Sequence, residues 1–129
     1  MVVKMGNAQI LIADDSLISL EGMKHLLSLA GYECDTASSP ESAIEMLGKK
    51  PYKLAILDLR FMDDDLGGIR IANWLFDSQS QTKAVILSAY LTIGVTTDLL
   101  RSGKVLNIIS KTESGKELIA HIREAMQSL

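Results

Sequence analysis

Four short apolar runs, Ile10-Leu11-Ile12-Ala13, Leu54-Ala55-Ile56-Leu57, Ala84-Val85-Ile86-Leu87 and Leu106-Asn107-Ile108-Ile109, recur along the chain with helix-periodic segments between them. Runs that do not alternate with polar residues read as strands buried on both faces, and such strands occur mainly in parallel sheets covered by helices. A fifth strand is expected over Tyr32 to Thr36. Alternation of strand and helix with right-handed crossovers implies an α/β fold: one doubly wound, five-stranded parallel sheet with five helices in three layers.

The helices are bounded by recognisable signals. Ser16 can cap a first helix whose apolar positions Leu20, Met23, Leu26, Leu27 and Ala30 precede Gly31. Ser38 with Glu41 reads as a capping box for a second, with Pro40 in its first turn and Ala43, Ile44 and Leu47 facing inward. Gly68 is expected to open a third helix with Ile69, Ala72, Trp74 or Leu75, and Phe76 as its apolar content. The β-branched stretch Thr92 to Thr97 disfavours helix, so a fourth is expected to be short, centred on Asp98 to Ser102. Thr112 or Ser114 can cap the last, with Leu118, Ile122, Ala125, Met126 and Leu129 inward.

The chain of 129 residues suits one domain. Its 13 basic and 16 acidic residues, net −3, argue against nucleic acid or an anionic membrane as the main partner. A single cysteine, Cys34, excludes an internal disulfide and a cysteine-based zinc cluster. No apolar stretch approaches the roughly 18 residues of a membrane span, and Met1 to Gly6 lacks a signal-peptide core, so a cytoplasmic location is expected. Residues 1–7 read as a leader or an expression remnant, and residues 8–129 as the domain.

The strand ends carry the chemistry. Asp14 and Asp15 close the first run and Asp58 the third strand, while the fourth stops at Ser88 and the fifth at Lys111. In open α/β sheets these C-terminal ends line one ligand-binding edge. Three converging carboxylates repel, since two unit charges about 4 Å apart cost on the order of 4 kcal/mol at an effective dielectric near 20. Oxygen donors of this kind suit Mg²⁺. With Lys111 and the Ser88 hydroxyl beside it, such a site can hold a phosphoryl group, and an aspartate can accept one as an acyl phosphate. Asp58 stands alone at its strand end and is the candidate nucleophile; Asp14 and Asp15 form the metal pair, Asp15 directly and Asp14 through water.

The segments Ile10 to Ser16, Leu54 to Leu59, Val85 to Ala89 and Ile109 to Lys111 resemble the receiver domains of bacterial response regulators, with their flavodoxin-like, CheY-like fold, over about residue 8 to the end. The resemblance implies a phosphoacceptor of a two-component system. Asp58 would take a phosphoryl group from a sensor histidine kinase or phosphotransfer protein. Mg²⁺ would be held by Asp15, Asp58 and the backbone carbonyl of Arg60, and Ser88 and Lys111 would contact the phosphoryl oxygens. Such a domain is no enzyme beyond self-catalysed phosphotransfer and dephosphorylation. Its partners would be that kinase and an output protein, with neither nucleic acid nor membrane, and the fourth helix, fifth strand and fifth helix could form a homodimer face.

The chain departs from the family pattern in three places. Ile108 stands where an aromatic rotamer usually reports phosphorylation, with Tyr90 as a substitute. Thr112 replaces the proline that usually follows the lysine. The loop Arg60 to Gly68 lacks its usual proline and carries extra residues, Asp63-Asp64-Asp65 among them, which read as a solvated acidic turn. These departures keep a second reading open, a pseudo-receiver that binds proteins without being phosphorylated. A haloacid-dehalogenase-type phosphatase would need an aspartate where Arg60 stands, and no Gly-Lys pair has the setting of a phosphate-binding loop. His25 and His121 read as surface or boundary residues. Output is expected as a population shift over 89–103, driven from Ser88 and Lys111.

Overall fold

The computed structural model describes residues 8–62, 64, 66–89, 101, 103–111 and 113–129. These hold β1 (Ile10–Ala13), α1 (Leu17–Leu29), β2 (Cys34–Ala37), α2 (Pro40–Lys49), β3 (Leu54–Asp58), α3 (Gly67–Asp77), β4 (Lys83–Ser88), β5 (Val105–Ser110) and α4 (Gly115–Gln127). The five strands form one parallel sheet in the order β2-β1-β3-β4-β5. The fold is thus the doubly wound parallel sheet that the apolar runs require, and the order in which strands are added reverses between β1 and β3. The described helices number four, against five expected. Apart from Arg101, the expected short helix Asp98 to Ser102 lies outside the described residues, as do Tyr90, Thr112 and the bond from Lys111 to Thr112. The last helix is therefore α4 here.

Side chains leave a strand on alternate faces, so each buried run feeds two cores. Leu11, Ala13, Ala55, Leu57, Ala84 and Ile86 pack with Ala43, Leu47, Ile71 and Leu75 of α2 and α3. Ile10, Ile12, Leu54, Ile56, Val85 and Leu87 pack with Leu20, Leu27, Ile122 and Ala125 of α1 and α4 on the opposite face. Three layers follow from this division. Cys34 belongs to the second core, and burial pushes its thiol up to about 11, so it stays protonated and unreactive at neutral pH.

Local signals set most boundaries. The Ser16 side chain accepts from Ser19 N–H, and Gly31 ends the turn after α1 at φ +96°, a conformation costly for residues with a Cβ. The capping box of α2 is one residue later than expected. Ser39 and Ser42 make it reciprocally, with Pro40 in the first turn, because Ser38 lies outside the helix and Glu41 turns away to pair with Arg70. Strand β2 likewise begins and ends later than Tyr32 to Thr36. Helix α3 starts at Gly67, and its buried positions are Ile71, Ala72 and Leu75, with Phe76 exposed. Ser114, not Thr112, caps α4. Ser39→Ala should cost about 1 kcal/mol, the usual worth of such a cap, whereas Ser38→Ala should leave the urea midpoint in place.

Candidate functional site

Each candidate residue stands where a strand meets the C-terminal edge. Asp14 directly follows β1: its N–H donates to Ala37 O, and its Oδ1 accepts from Ser16 N–H at 2.9 Å, so one acid sits in the turn that starts α1. Asp58 ends β3 and Ser88 ends β4, and Lys111 follows β5, where its N–H donates to Ser88 O at 2.9 Å. The crevice lies at the reversal between β1 and β3, the place where doubly wound sheets bind ligands.

All five side chains expected to converge do so. Carboxylate oxygens of Asp14, Asp15 and Asp58 lie within 4.8 Å of one another. The Lys111 ammonium is 3.0 Å from Asp58 Oδ2 and 3.6 Å from Asp14 Oδ2. Asp14, Asp58 and Ser88 are buried. Asp58, Arg60, Ser88 and Lys111 line a cavity of about 100 Å³, room for roughly three waters or a tetrahedral oxyanion. Arg60 is exposed, and its backbone N–H faces the Asp58 carboxylate closely enough to favour that acid's ionised form.

The charges do not balance in this edge. Burial pushes the Asp58 carboxyl above its ordinary value; the Lys111 bond opposes that rise, and the negative charge of Asp14 adds to it. Burial works against the charge of Lys111, yet its bond to Asp58 and the fields of Asp58 and Asp14 raise it above the ordinary lysine value. One ammonium therefore serves two buried acids, with a third beside them. Hard oxygen donors gathered at this spacing, and under-compensated, fit a divalent cation of the Mg²⁺ kind.

Several contributors are not read from strand-end spacing. The Met62 N–H donates to Asp15 Oδ2, so the loop after β3 reaches back to the acids that follow β1. A Cβ at Gly68 would overlap the Asp58 carbonyl oxygen and come within 2.8 Å of Leu59 Cα, so α3 starts directly against the backbone of Asp58. The adjacent pair Gly67-Gly68 was the available signal. Asp64 pairs with Arg70 instead of lying free in an acidic turn. Ile108, at the reporter position, is half-buried against the α2 and α3 core. His25 is exposed, while His121 faces Glu113, with Nε2 2.9 Å from its Oε2. Among the described residues, no helix is long and apolar enough to cross a membrane.

Comparison with known proteins agrees with this arrangement. The family described as response regulator receiver domain matches residues 10–123. Over 81 residues, 63% of the chain, it is 35% identical to the transcriptional regulatory protein PmrA of Pectobacterium parmentieri, of which the match spans only 36%. The receiver domain of the Francisella response regulator 1452 superposes with a TM-score of 0.83 at 22% identity, covering 95% of this chain and 98% of that one. A Burkholderia pseudomallei response regulator, solved with a phosphorylated aspartic acid, calcium ion and citrate, gives 0.77 at 20% identity over 95% of this chain and 70% of its own. With its strand order, its acidic edge and a family match across nearly the whole sheet, this chain belongs to the response regulator receiver domain family.

Proposed function

We propose that the domain, residues 8–129, accepts a phosphoryl group on Asp58 from a phosphohistidine of a sensor histidine kinase or phosphotransfer protein and thereby changes its contacts with an output partner. The observation that carries this is the Lys111 ammonium 3.0 Å from Asp58 Oδ2, in a cavity also lined by Ser88. An Asp58 oxygen forms the new P–O bond as the P–N bond to the donor imidazole breaks, and the imidazole leaves as a neutral ring once it takes a proton from solvent. Lys111 and the Ser88 hydroxyl receive the equatorial phosphoryl oxygens. Water attack on the acyl phosphate later returns aspartate and inorganic phosphate, and the exposed Arg60 side chain stands beside that approach.

Asp15, Asp58 and the Arg60 carbonyl would hold Mg²⁺, with Asp14 acting through a water; bound there, the ion supplies positive charge to the phosphoryl oxygens. The Burkholderia relative, solved with a phosphorylated aspartic acid and a calcium ion, supports the same reading by likeness of fold. The pseudo-receiver alternative rests on Ile108, Thr112 and the altered loop, none of which removes a charged group from the edge.

Incubation with acetyl phosphate and Mg²⁺ should add one phosphoryl group by intact-mass spectrometry; a pseudo-receiver gains none. Mg²⁺ alone at ten times its Kd should stabilise the fold by about 1.4 kcal/mol, read as a rise in Tm that a chelator reverses. A melting curve indifferent to Mg²⁺ would remove the metal from the proposal.

A further inference from the structure

The loop between β3 and α3, where the chain departs most from its family's pattern, is closed on itself through Asp64. The backbone of Asp64 pairs in both directions with Phe61, at 2.9 and 3.0 Å, and its carbonyl accepts from Gly67 N–H at 3.1 Å. Its side chain is used twice over. Oδ1 accepts from Leu66 N–H at 3.0 Å, and Oδ2 lies 3.0 Å from Arg70 Nε on the first turns of α3. The other end of that guanidinium reaches Glu41 Oε1 of α2 at 2.8 Å. Phe61, held between these bonds, is buried under Gly67.

Flanking Phe61 are the two residues whose N–H groups meet the acidic edge: Met62, which donates to Asp15, and Arg60, whose N–H faces Asp58. Whatever fixes Phe61 fixes both donors, and the Arg60 carbonyl with them. We propose that Asp64 and Arg70 are positioning residues of the metal and phosphoryl site, a side-chain clamp that does for this proline-free loop what backbone stiffness would otherwise do. Glu41 steadies the clamp from outside, and its own pair is the more exposed, so its part is smaller. This rests on the phosphoacceptor reading above and concerns how the loop presents Arg60 and Met62 to it.

The test is Mg²⁺ titration of the intact chain by calorimetry, with urea midpoints measured in parallel. Arg70→Ala and Asp64→Asn should each raise the Mg²⁺ Kd about threefold to fivefold, the scale of a partly exposed ion pair. The double variant should be no weaker than either single one, because both remove the same pair. Glu41→Gln should shift Kd less than twofold. In metal-free protein, the amide of Met62 should exchange faster in Arg70→Ala while amides of Ile56 and Val85 are unchanged, which separates loosening of the loop from loss of global stability. Kd values equal to the unmodified protein, or changes that only follow the urea midpoints across all variants, overturn the clamp. Absence of Mg²⁺ binding by the unmodified chain, with Asp15→Asn the same, instead overturns the underlying reading and the clamp with it.

Discussion

Asp58→Asn should abolish uptake of phosphoryl from acetyl phosphate and at the same time make the metal-free protein more stable. Loss of transfer follows because the amide has no anionic oxygen to form the acyl phosphate. The gain in stability follows from charge. Asp58 is buried beside Asp14, and its folded-state pKa is raised above the unfolded value, so the folded chain binds that proton more tightly than the unfolded chain does. Such a group contributes stability that is present below the unfolded carboxylate pKa and is lost as pH rises through the raised folded pKa. At neutral pH the ionised acid is a burden, and asparagine removes it while Lys111 retains Asp14 at 3.6 Å. An increase of about 1 kcal/mol is expected, read from urea midpoints at pH 7. The difference between Asp58→Asn and the parent should shrink as pH falls toward the unfolded carboxylate pKa, where the parent's own carboxyl is protonated. It should also shrink in saturating Mg²⁺. An Asp58→Asn protein less stable than its parent at pH 7 without metal would show that the Lys111 pair outweighs burial, reversing the electrostatic account of the site.

Gly68→Ala should be the most damaging glycine-to-alanine substitution among the described residues. The added methyl group would meet the Asp58 carbonyl and Leu59 Cα, both backbone atoms of the β3 end, so no flexible side chain can move aside. Gly68 N–H also donates to Leu59 O at 3.0 Å, so α3 cannot retreat without losing that bond. Overpacking against rigid neighbours costs about 1 to 3 kcal/mol, and more where backbone must shift; about 3 kcal/mol, or roughly 10 °C in Tm for a domain of this size, is expected. Because the displaced backbone belongs to Asp58, the proposed acceptor, the variant should also phosphorylate slowly at a temperature where it remains folded. Gly22→Ala is the internal control: a Cβ there meets nothing within 4 Å, and the exchange in a helix interior should stabilise by about 1 kcal/mol. If both variants melt together, the close approach of α3 to Asp58 is not what the glycine provides.

The same contrast separates what could be read along the chain from what could not. Apolar tetrads such as Leu54-Ala55-Ile56-Leu57 state their own burial on both faces, and a chain that alternates them with amphipathic helices has few ways to bury them all. The parallel sheet and its acid-bearing edge follow from that, because a residue placed at the end of a buried parallel strand has its neighbours chosen by the sheet. Asp14, Asp15, Asp58, Ser88 and Lys111 were legible for this reason.

Contacts made by irregular backbone were not legible. Ser38 and Ser39 offer the same hydroxyl one residue apart, and only the path of the chain out of β2 selects Ser39 as the cap. In the loop after Asp58, the acidic run looks solvated because a loop has no periodicity from which to infer partners; that Asp64 closes on Arg70 depends on where α3 begins. Residue order alone thus determined the layers, the edge and the groups that meet on it, through hydrophobic burial and strand pairing. The tertiary structure alone decided which loop amides reach Asp15 and Asp58, how closely α3 abuts the acceptor and how one lysine is shared by two acids, because those depend on distances of a few tenths of an ångström between segments remote in sequence.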